Sequence, residues 1–420
     1  MTDAKPYNIP KPLVSKAYQL VKANRGASGV DQVTLATFEK DLPDNLYKIW
    51  NRMSSGSYFP PPVRLVEIPK ASGGVRPLGI PTVADRVAQT VVKLLLEPAV
   101  DPVFHPDSYG YRPGKSAHDA VRTARQRCWE YDWVIELDIK GFFDAMPHEH
   151  IETALSRHTE ESWVPLYVGR WLRAPLQRPD GAVEQRTKGT PQGGVISPLL
   201  ANLFLHYAFD MWMQRHQPTT PFERYADDVV VHCRSADEAQ SVLAAMRERL
   251  EQCGLELHPT KTRIVYCKDY RRPGDSEHVM FDFLGHTFRA RPVRGRNGTV
   301  FYGFNPAISA SAAKRIRERI RSWHLGSRTQ GQLQALLPKI DRVVRGWYNY
   351  YGVFFPSVCR GVLQAVNTAL IRWALRKYKR FRRSWCAATD WLHRIATSHP
   401  AQFALWELRV IPRAGRVRAV

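Results

Sequence analysis

Residues 222–233 read FERYADDVVVHC, and this stretch holds two adjacent carboxylates, Asp227 and Asp228, among apolar and β-branched residues. The composition predicts a buried strand with the Asp-Asp pair near its middle. Burying two carboxylates without partners is costly. A plain hairpin turn would leave both side chains in solvent, which is common for an Asp-Asp pair. Here VVVHC continues immediately as strand, which instead favours a bound cation.

A second segment supplies a third carboxylate. Residues 133–139, WVIELDI, predict another buried strand, which carries Asp138 at its C-terminal end. Three carboxylates from two strands can hold two magnesium ions roughly 3.5–4 Å apart, the arrangement that polymerases use for in-line displacement. Magnesium prefers hard oxygen ligands, which explains Asp rather than His or Cys, and Mn²⁺ can substitute. We therefore predict a two-metal catalytic site on Asp138, Asp227 and Asp228.

Two glycine-rich segments can contact a nucleotide. Residues 63–81, VRLVEIPKASGGVRPLGIP, predict a β-hairpin on which Lys70 and Arg76 can close over a triphosphate. The alternative is two solvated basic residues at a hairpin tip. Residues 190–198, TPQGGVISP, predict a turn that opens a helix, where the Gln192 amide can contact ribose or base. Taken alone, this second segment is no more than a turn.

Two single residues complete the predicted nucleotide site. Phe143 lies five residues after Asp138, so its ring can stack beside the incoming sugar and exclude a 2′-hydroxyl. The alternative is a core aromatic, which we expect of the neighbouring Phe142. Lys261, in the segment HPTKT, can protonate the departing pyrophosphate as a general acid. An exposed turn lysine is an equally open alternative for this position.

The positive charge is concentrated near the C-terminus. The net charge is +22, and residues 291–420 contribute 25 Lys and Arg against four acidic residues, whereas residues 1–290 are almost balanced at +1. A localised basic segment is typical of a protein that binds a polyanion. Six of the twelve tryptophans lie in the same segment, and arginines interleaved with aromatic residues suit phosphate pairing and base stacking. The alternative is a solvated basic surface.

One part of the basic segment is a candidate nucleic-acid contact. Residues 372–385 read RWALRKYKRFRRSW, and we predict that they form a helix. On such a helix one face would carry residues three and four positions apart: Arg372, Arg376, Lys379 and Arg383. This face can follow a phosphate backbone, although a solvated helix face would carry the same pattern.

The order of predicted elements favours an α+β fold over a doubly wound sheet. Helices are predicted at 12–24, 36–53, 83–98 and 236–253, a further strand at 279–288, and almost continuous helix from about 308. We place the domain boundary near 290–305, where RARPVRGRNG is polar and loop-like. The predicted domains are an N-terminal extension (1–60), a catalytic domain (61–290), a helical domain (291–384) and a short basic C-terminal region (385–420).

The chain shows no signal for export or membrane insertion. The N-terminus lacks the apolar core of a signal peptide, and no stretch approaches the ~18 apolar residues of a membrane span. The six cysteines are scattered without a C-x-x-C pair, which is typical of a reduced compartment and argues against a zinc site. We therefore expect a cytoplasmic protein without a membrane partner.

An ordered set of segments resembles the successive blocks of group II intron reverse transcriptases. These segments span residues 63–288 and are IPKASGGVRPLGIP, SYGYRPGKSAHDAV, IELDIKGFFDAMPH, GTPQGGVISPLLANLFLH, RYADDVVV, LELHPTKT and FDFLGHTF. Upstream, NRGASGVD (24–31) is similar to the family's N-terminal loop, which helps to hold template. Downstream, RVVRGWYNYYGVF (342–354) is similar to its thumb or maturase domain, which grips intron RNA.

This resemblance implies a right-hand polymerase of fingers and palm followed by an all-helical thumb. It places the metal ligands at Asp138, Asp227 and Asp228, with the Ile139 carbonyl as a backbone ligand. It also implies that the nucleotide contacts are Lys70, Arg76, Phe143, Gln192 and Lys261. The template-holding loop adds Arg25 to the candidate nucleic-acid contacts.

The resemblance also implies a function. We expect an RNA-directed DNA polymerase that uses two magnesium ions to add deoxynucleotides to a DNA or RNA primer on an RNA template, with intron-RNA binding as a maturase. Only 35 residues follow Trp385, without metal-ligand spacing, so we expect no endonuclease of the Cys/His type. Intron mobility and a host-adopted role such as DNA repair both stay open, as does the oligomeric state. The alternatives are an RNA-binding splicing cofactor with a vestigial polymerase site, which filled catalytic positions argue against, and a two-metal nuclease.

Overall fold

The computed structural model describes residues 5–69, 74–295 and 297–413. The chain divides into two compact units, one made of Met1–Ala120 and Ile135–Ile264 and the other of Val121–Val134 and Val265–Val420. Helices and strands are mixed without a regular alternation, as expected of an α+β protein. Among the described residues, no helix is both long enough and apolar enough to span a lipid bilayer.

The elements up to residue 266 include the two strands that carry the candidate carboxylates. In chain order they are α1 Lys11–Ala23, α2 Leu35–Lys40, α3 Leu42–Ser54, β1 Val63–Pro69, β2 Val75–Ile80, α4 Val83–Val100, α5 Ala117–Arg127, β3 Trp133–Leu137, α6 Phe142–Ala145, α7 His148–Leu155, α8 Trp163–Leu172, β4 Leu176–Gln177, β5 Val183–Glu184, α9 Ser197–Leu205, α10 Met211–His216, β6 Phe222–Tyr225, β7 Asp228–Cys233, α11 Ala236–Gln252 and β8 Arg263–Tyr266. A π-helical turn at His206–Asp210 joins α9 to α10.

The elements after residue 266 are mostly helical. They are β9 Phe281–Phe283, β10 His286–Arg294, β11 Val300–Ile308, α12 Ala310–Ser322, α13 Leu333–Tyr351, α14 Pro356–Lys377, α15 Trp385–Ser398 and α16 Ala404–Glu407. Short 3₁₀ turns lie at Leu325–Ser327, Lys379–Phe381 and Pro400–Gln402. The prediction of nearly continuous helix from about residue 308 is confirmed.

Several local predictions agree with the structure. The predicted helices at 12–24, 83–98 and 236–253 correspond to α1, α4 and α11. The predicted hairpin is also confirmed, because β1 and β2 pair antiparallel from Arg64↔Ile80 to Pro69↔Val75. The single helix predicted at 36–53 is wrong. Pro43 lies in the first turn of α3 and has no N–H to donate, so the chain forms α2 and α3 instead of one helix.

The predicted strand around the Asp-Asp pair is two strands. β6 and β7 pair antiparallel, with Tyr225 opposite Asp228, so the chain reverses between them. Ala226 has a φ of 57°, the left-handed conformation that such a tight reversal requires. The prediction of one continuous strand is therefore wrong, because the chain forms a hairpin. The turn does not leave both carboxylates in solvent as the plain-hairpin alternative required, since Asp227 is half-buried. The sheet order β6-β7-β3-β8 makes β7, which begins with Asp228, the neighbour of β3, which Asp138 directly follows.

The segment predicted as a polar boundary loop, residues 289–298, lies largely in a hairpin. β10 and β11 pair antiparallel in an unbroken register from His286↔Ile308 to Arg294↔Val300. The polar residues of this segment wrongly suggested a loop. Arg291 shows why, because its side chain is buried and donates to the carbonyl oxygens of Asn305 (3.0 Å) and Thr287 (3.0 Å). The all-helical description of residues 291–384 is therefore wrong for residues 291–308. The single strand predicted at 279–288 is also wrong, since β9 and β10 are separated by a turn.

The tryptophans of the basic segment contribute to a helical core. Trp373 and Trp406 are fully buried within the cluster formed by α12 to α16. Their indole N–H groups donate to the Arg328 carbonyl at 3.0 Å and to Asn367 Oδ1 at 3.3 Å. Trp323, Trp347, Trp385 and Trp391 are buried or half-buried. None of the six tryptophans is exposed, so in this conformation they pack the domain and do not present faces for base stacking.

A glycine allows a neighbouring loop to pack against the Asp-Asp turn. Residues 107–110 run beside β6, where Arg224 N donates to the Asp107 carbonyl (2.9 Å) and Tyr109 N donates to the Arg224 carbonyl (2.8 Å). A side chain at Gly110 would overlap the Ala226 nitrogen and would lie 2.9 Å from the Tyr225 carbonyl carbon. Backbone atoms cannot move aside cheaply, so this position requires glycine.

Gly110→Ala should therefore destabilise the first unit by roughly 1–3 kcal/mol, the usual cost of overpacking. Thermal unfolding of the purified variant measures this. The matched control is Gly169→Ala in α8, where the new methyl group meets only the far ends of the Glu152 (3.1 Å) and Arg173 (3.2 Å) side chains. Replacing a helical glycine by alanine should leave the melting temperature unchanged or raise it. Equal melting temperatures for the two variants would contradict the packing argument.

Candidate active site

At the Asp-Asp turn, burial and repulsion between carboxylates both disfavour the charged forms of the two side chains. Asp227 is half-buried, and Asp228 is exposed to solvent on one side although protein atoms crowd its other sides. Burial raises the pKa of Asp227, and Arg76 and Lys261 oppose that rise. The pKa of Asp228 is raised to about 7, first by burial and then by repulsion from Asp227, Asp138 and Glu136. The fold thus brings the three predicted carboxylates within each other's field.

Asp138 is held by the loop that also carries Lys261. Lys261 Nζ lies 3.1 Å from Asp138 Oδ2 and forms an ion pair with this carboxylate. The backbone of the same loop also contacts this strand end, since His258 N donates to the Asp138 carbonyl at 2.8 Å. Ile139 is buried and forms an isolated antiparallel bridge with Leu257. The structure therefore places Lys261 beside the carboxylates, where the sequence predicted it.

The carboxylates suit a cation by type and charge but do not form a closed site in this conformation. Within the described residues, no three His, Cys, Asp or Glu side chains lie close enough to hold a metal ion. Instead, the Lys261 ammonium neutralises part of the charge of Asp138. The raised pKa of Asp228 still reports mutual repulsion that a divalent cation would relieve. Hard carboxylate oxygens are the ligands that Mg²⁺ and Mn²⁺ prefer.

The predicted nucleotide contacts fall in the same unit. Lys70 lies outside the described residues. Arg76 on β2 is close enough to Asp227 for its positive charge to oppose the rise in the pKa of that carboxyl group. The Gln192 side chain donates from Nε2 to Asp144 Oδ2 at 3.3 Å. The backbone carbonyl of Gln192 accepts from Gly79 N of β2 at 2.8 Å. A cavity of about 470 Å³ is lined by Gln192, Asp144 and the β1–β2 hairpin. The glycine-rich turn therefore connects the hairpin to the segment that follows Asp138.

The two phenylalanines after Asp138 differ in burial as expected. Phe142 is buried, which confirms its assignment to the core. Phe143 is half-buried, and its ring meets that of Phe142 edge-on with a centroid distance of 5.4 Å. The backbone of Phe143 also holds the glycine-rich segment, because its carbonyl accepts from Thr190 N at 2.7 Å. Phe143 is therefore linked to the glycine-rich segment through its backbone, while its side chain stays partly exposed.

The turn that carries Gln192 is fixed by a buried polar network. Gln89 of α4 accepts from Val195 N at 2.8 Å through Oε1 and donates to Asp85 Oδ2 at 3.0 Å. Tyr58 and Trp171 also donate to Asp85, at 2.9 and 2.7 Å. Burial nevertheless raises the pKa of Asp85 to about 6, against these three donors. The network ties the nucleotide turn to the long helix α4.

The chain matches the family model for reverse transcriptase (RNA-dependent DNA polymerase) over residues 68–288. This match covers more than half of the chain and includes all three candidate carboxylates. The chain belongs to the reverse transcriptase family. A second family model, for the group II intron maturase-specific domain, matches residues 313–391 of this reverse transcriptase. The family resemblance seen in the sequence is thereby confirmed.

Similar proteins come from bacteria and from a plant. The reverse transcriptase is 30% identical to protein YkfC of Escherichia coli over 72% of this chain and 85% of YkfC. It is 36% identical to the group II intron-encoded protein LtrA of Lactococcus lactis over 45% of this chain, but the match spans only 32% of LtrA. It is 24% identical to nuclear intron maturase 2, mitochondrial, of Arabidopsis thaliana over half of this chain and 32% of that protein.

The predicted template loop is anchored to the start of α4. Arg25 is exposed at the end of α1 with a φ of 47°. The following glycines pack closely on the reverse transcriptase's first unit, since Gly26 lies against the Arg86 side chain and Gly29 against the Thr82 backbone. Arg86 Nη2 donates to the Ala27 carbonyl at 2.7 Å. Sequence reasoning missed Arg86, which holds the loop in place.

The predicted basic helix face is wrong for two of its four members. α14 ends at Lys377, and Tyr378 adopts an extended conformation with φ −101° and ψ 116°. Arg372 and Arg376 therefore lie on α14, whereas Lys379 lies in a 3₁₀ turn and Arg383 lies in the turn before α15. The break has a packing reason, because the Tyr378 ring packs edge-on against those of Trp373, Phe381 and Trp391. Burial of the Tyr378 ring therefore outweighs the helical spacing that predicted one continuous helix over residues 372–385.

Sequence reasoning also missed a residue beside the carboxylates. Tyr111 is exposed, has a φ of 58°, and its ring centroid lies 6.3 Å from that of Tyr225. Burial and then the charge of Asp227 raise the pKa of Tyr111. Tyr111 lies in SYGYRPGKSAHDAV, a segment quoted for the family resemblance, but nothing in its own pattern distinguished it from a surface tyrosine.

A buried ion pair beneath the turn was missed as well. Arg224 of β6 donates to both oxygens of Asp210, at 2.7 and 2.6 Å, and neither side chain is exposed. The remaining guanidinium nitrogen donates to Asn202 Oδ1 at 3.0 Å and to the Ala226 carbonyl at 3.3 Å. Asn202 in turn donates to the Gly110 carbonyl at 2.7 Å. The available signal was an arginine within an apolar strand, because a buried arginine requires a partner.

Asp210→Asn should destabilise the first unit by about 3–5 kcal/mol, because it leaves the buried Arg224 charge uncompensated. Chemical denaturation of the variant measures the loss. The control is Asp44→Asn, which breaks an exposed ion pair with Lys48 of 2.7 Å in the same unit. An exposed pair contributes less than about 1 kcal/mol. A loss for Asp210→Asn no larger than that of the control would show that Arg224 finds another partner.

Proposed function

We propose that this reverse transcriptase extends the 3′ end of a DNA or RNA primer with deoxynucleotides along an RNA template. The observation that carries the proposal is the sheet order, in which β7, beginning with Asp228, lies beside β3, directly followed by Asp138, inside the segment that matches the polymerase family. Electrostatic repulsion within such a group is relieved by divalent cations, and it is expensive to maintain without a function.

Asp138, Asp227 and Asp228 would hold the metal ions, with the Ile139 carbonyl as a backbone ligand. Two Mg²⁺ ions, when bound, would lower the pKa of the primer 3′-hydroxyl and neutralise charge on the triphosphate and on the leaving pyrophosphate. Lys261 Nζ lies 3.1 Å from Asp138 Oδ2. We propose that this ammonium delivers the proton to the pyrophosphate oxygen as the bond to the α-phosphorus breaks.

The nucleotide would be held by residues of the hairpin and of the glycine-rich turn. Arg76 and Lys70 contribute positive charge for the triphosphate, and Gln192 offers its amide to the ribose or base. Gln192 is already oriented by Asp144 and by β2, which lowers the entropic cost of positioning it. We propose that Phe143, which is half-buried, excludes a 2′-hydroxyl from the incoming sugar.

A second activity, binding of intron RNA as a maturase, is favoured by the match of residues 313–391 to the maturase-specific domain. We assign residues 1–60 to the template-holding extension, 61–290 to fingers and palm, 291–384 to the thumb and 385–420 to a basic C-terminal region. Intron mobility and a host-adopted role such as DNA repair are both compatible with these activities.

Asp227→Asn should lower the rate of primer extension on an RNA template by at least ~100-fold, because it removes charge from the metal site with little change in volume. Single-turnover extension with Mg²⁺ and deoxynucleotides measures the rate. The same variant should keep the wild-type affinity for structured RNA in filter binding. Near-normal extension by Asp227→Asn would contradict the proposal that Asp227 binds a catalytic metal ion. A wild-type protein that binds RNA but never extends a primer would establish the vestigial-site alternative.

Phe143→Ala should admit ribonucleotides into the product while extension with deoxynucleotides continues, because the shortened side chain no longer meets the 2′-hydroxyl. Incorporation is measured by competing a ribonucleotide against the matching deoxynucleotide and cleaving the product with alkali. Phe142→Ala is the control, since that ring is buried in the core and its loss should reduce stability without changing sugar selection. Unchanged selection in Phe143→Ala would place the sugar gate at another residue.

A further inference from the structure

A basic groove lies between two helices of the second unit. α12 contributes Arg317 and Arg321 to one wall, and α14 contributes Arg372 and Arg376 to the other. The groove encloses about 370 Å³. Small side chains from the same face of α14 form its floor, namely Ala365, Thr368 and Ala369. All four arginines are exposed, so their guanidinium groups are available to a ligand.

The helical period produces this arrangement on both walls. Each arginine pair is separated by four residues, so its members lie one turn apart on the same helix face. Beneath them, Ile316 and Ile320 of α12 and Val366 and Leu370 of α14 belong to one buried cluster, which fixes the two helices against each other. The spacing between the walls is therefore set by a packed core and not by the arginines themselves.

One end of the groove is shaped by a turn with special backbone requirements. His324 has a φ of 47° and introduces the 3₁₀ turn Leu325–Ser327. A side chain at Gly326 would lie 2.5 Å from Nη1 of Arg376, so the absence of a side chain leaves room for this guanidinium. His324 and Gly326 both line the groove. The turn thus leaves space for Arg376 within the groove.

The charges of the groove are unbalanced. In the part of the chain that the structure describes, none of these four arginines lies within ion-pair distance of a carboxylate. Arg345 on the neighbouring helix α13 is different, because it contacts both Asp341 (3.5 Å) and Glu407 (3.1 Å). Four like charges that converge without a counter-charge repel one another, and a bound polyanion would relieve that repulsion.

We propose that this groove binds the phosphodiester backbone of a structured RNA. Guanidinium groups on facing walls can each donate two hydrogen bonds to a phosphate, and the small floor residues allow the backbone to approach closely. Among the described residues, no Phe, Tyr or Trp side chain lines the groove, so we assign it to phosphate contacts and not to stacking on the face of a base. The proposal rests on the proposed RNA-binding function and specifies where, within residues 313–391, that contact is made.

The groove replaces the basic face that the sequence predicted. It keeps Arg372 and Arg376 but exchanges Lys379 and Arg383 for Arg317 and Arg321, which are more than 50 positions away in the chain. This exchange supplies a matched control. Lys379 and Arg383 are exposed residues of the same segment and do not line the groove. Their replacement removes the same charge from the same region.

The test is filter binding of a structured RNA across a salt series. Each phosphate contact contributes roughly 0.7–0.9 units of log K per log salt, so R317Q/R321Q and R372Q/R376Q should each flatten the slope by about 1.4–1.8 units. K379Q/R383Q should leave the slope near the wild-type value. Equal flattening of the slope in all three variants would show that only the total positive charge matters, and would overturn the groove. An unchanged slope in both groove variants would also overturn it.

Two further measurements keep the result interpretable. R317K/R321K retains the charge and should restore most of the slope while binding more weakly, because lysine cannot donate the paired hydrogen bonds. A melting temperature equal to wild type shows that the groove variants are folded. A DNA hairpin of equal length provides the second arm, and equal losses for DNA would overturn the assignment to structured RNA.

Failure of the proposed polymerase function is distinguishable from failure of the groove. Extension of a saturating pre-annealed primer–template by the wild-type protein tests the polymerase function independently of the groove. If the wild-type protein did not extend the primer while the salt slopes behaved as expected, the polymerase assignment would fail and the groove would stand. If extension were normal and the slopes did not change, the groove alone would fail.

Discussion

The buried ion pair between Arg224 and Asp210 is the interaction on which the candidate active site depends. Arg224 belongs to β6, directly before the Asp-Asp turn, and it also donates to the carbonyl of Ala226 within that turn. Because separating a buried pair leaves an uncompensated charge, the end of β6 can move only if Asp210 moves with it. Asp210 ends a π-helical turn, whose extra residue rotates this side chain relative to a regular α-helix. The ion pair therefore couples the position of the irregular helix to that of the β6–β7 hairpin, which carries the candidate carboxylates.

The two compact units handle charge in opposite ways. The first unit holds three acidic side chains near one another, and the resulting repulsion appears as the raised pKa of Asp228. The second unit holds four arginines along one groove, and among the residues that the structure describes no carboxylate lies within ion-pair distance of them. In both places a packed core maintains an arrangement that electrostatics alone would disperse. We propose that each arrangement is stabilised by a ligand of opposite charge, a divalent cation in the first unit and a phosphate backbone in the second.

The errors of the sequence analysis share a physical origin. Ala226 and Leu284 both adopt left-handed conformations that neither residue type favours. The turns before β7 and β10 were therefore marked only by their neighbours, the Asp-Asp pair and Gly285. The segment around Arg291 looked like a loop because its arginine is satisfied by backbone carbonyls across a hairpin. The helix predicted at 372–385 ended early because Tyr378 packs into an aromatic cluster. In each case a tertiary contact supplied the energy that overrode a local preference.

The sequence by itself determined the family, the identity of the three carboxylates, the β1–β2 hairpin and the concentration of positive charge after residue 290. These properties are carried by residue types and by their spacing over short distances, which a linear reading preserves. Only the tertiary structure decided that Asp210 pairs with Arg224, that Gln89 supports the turn of Gln192, and that Arg317 and Arg321 join Arg372 and Arg376 in one groove. These partners are separated by 14 to more than 100 positions. No local period encodes such pairings, because they arise only when packed helices and strands bring distant faces together.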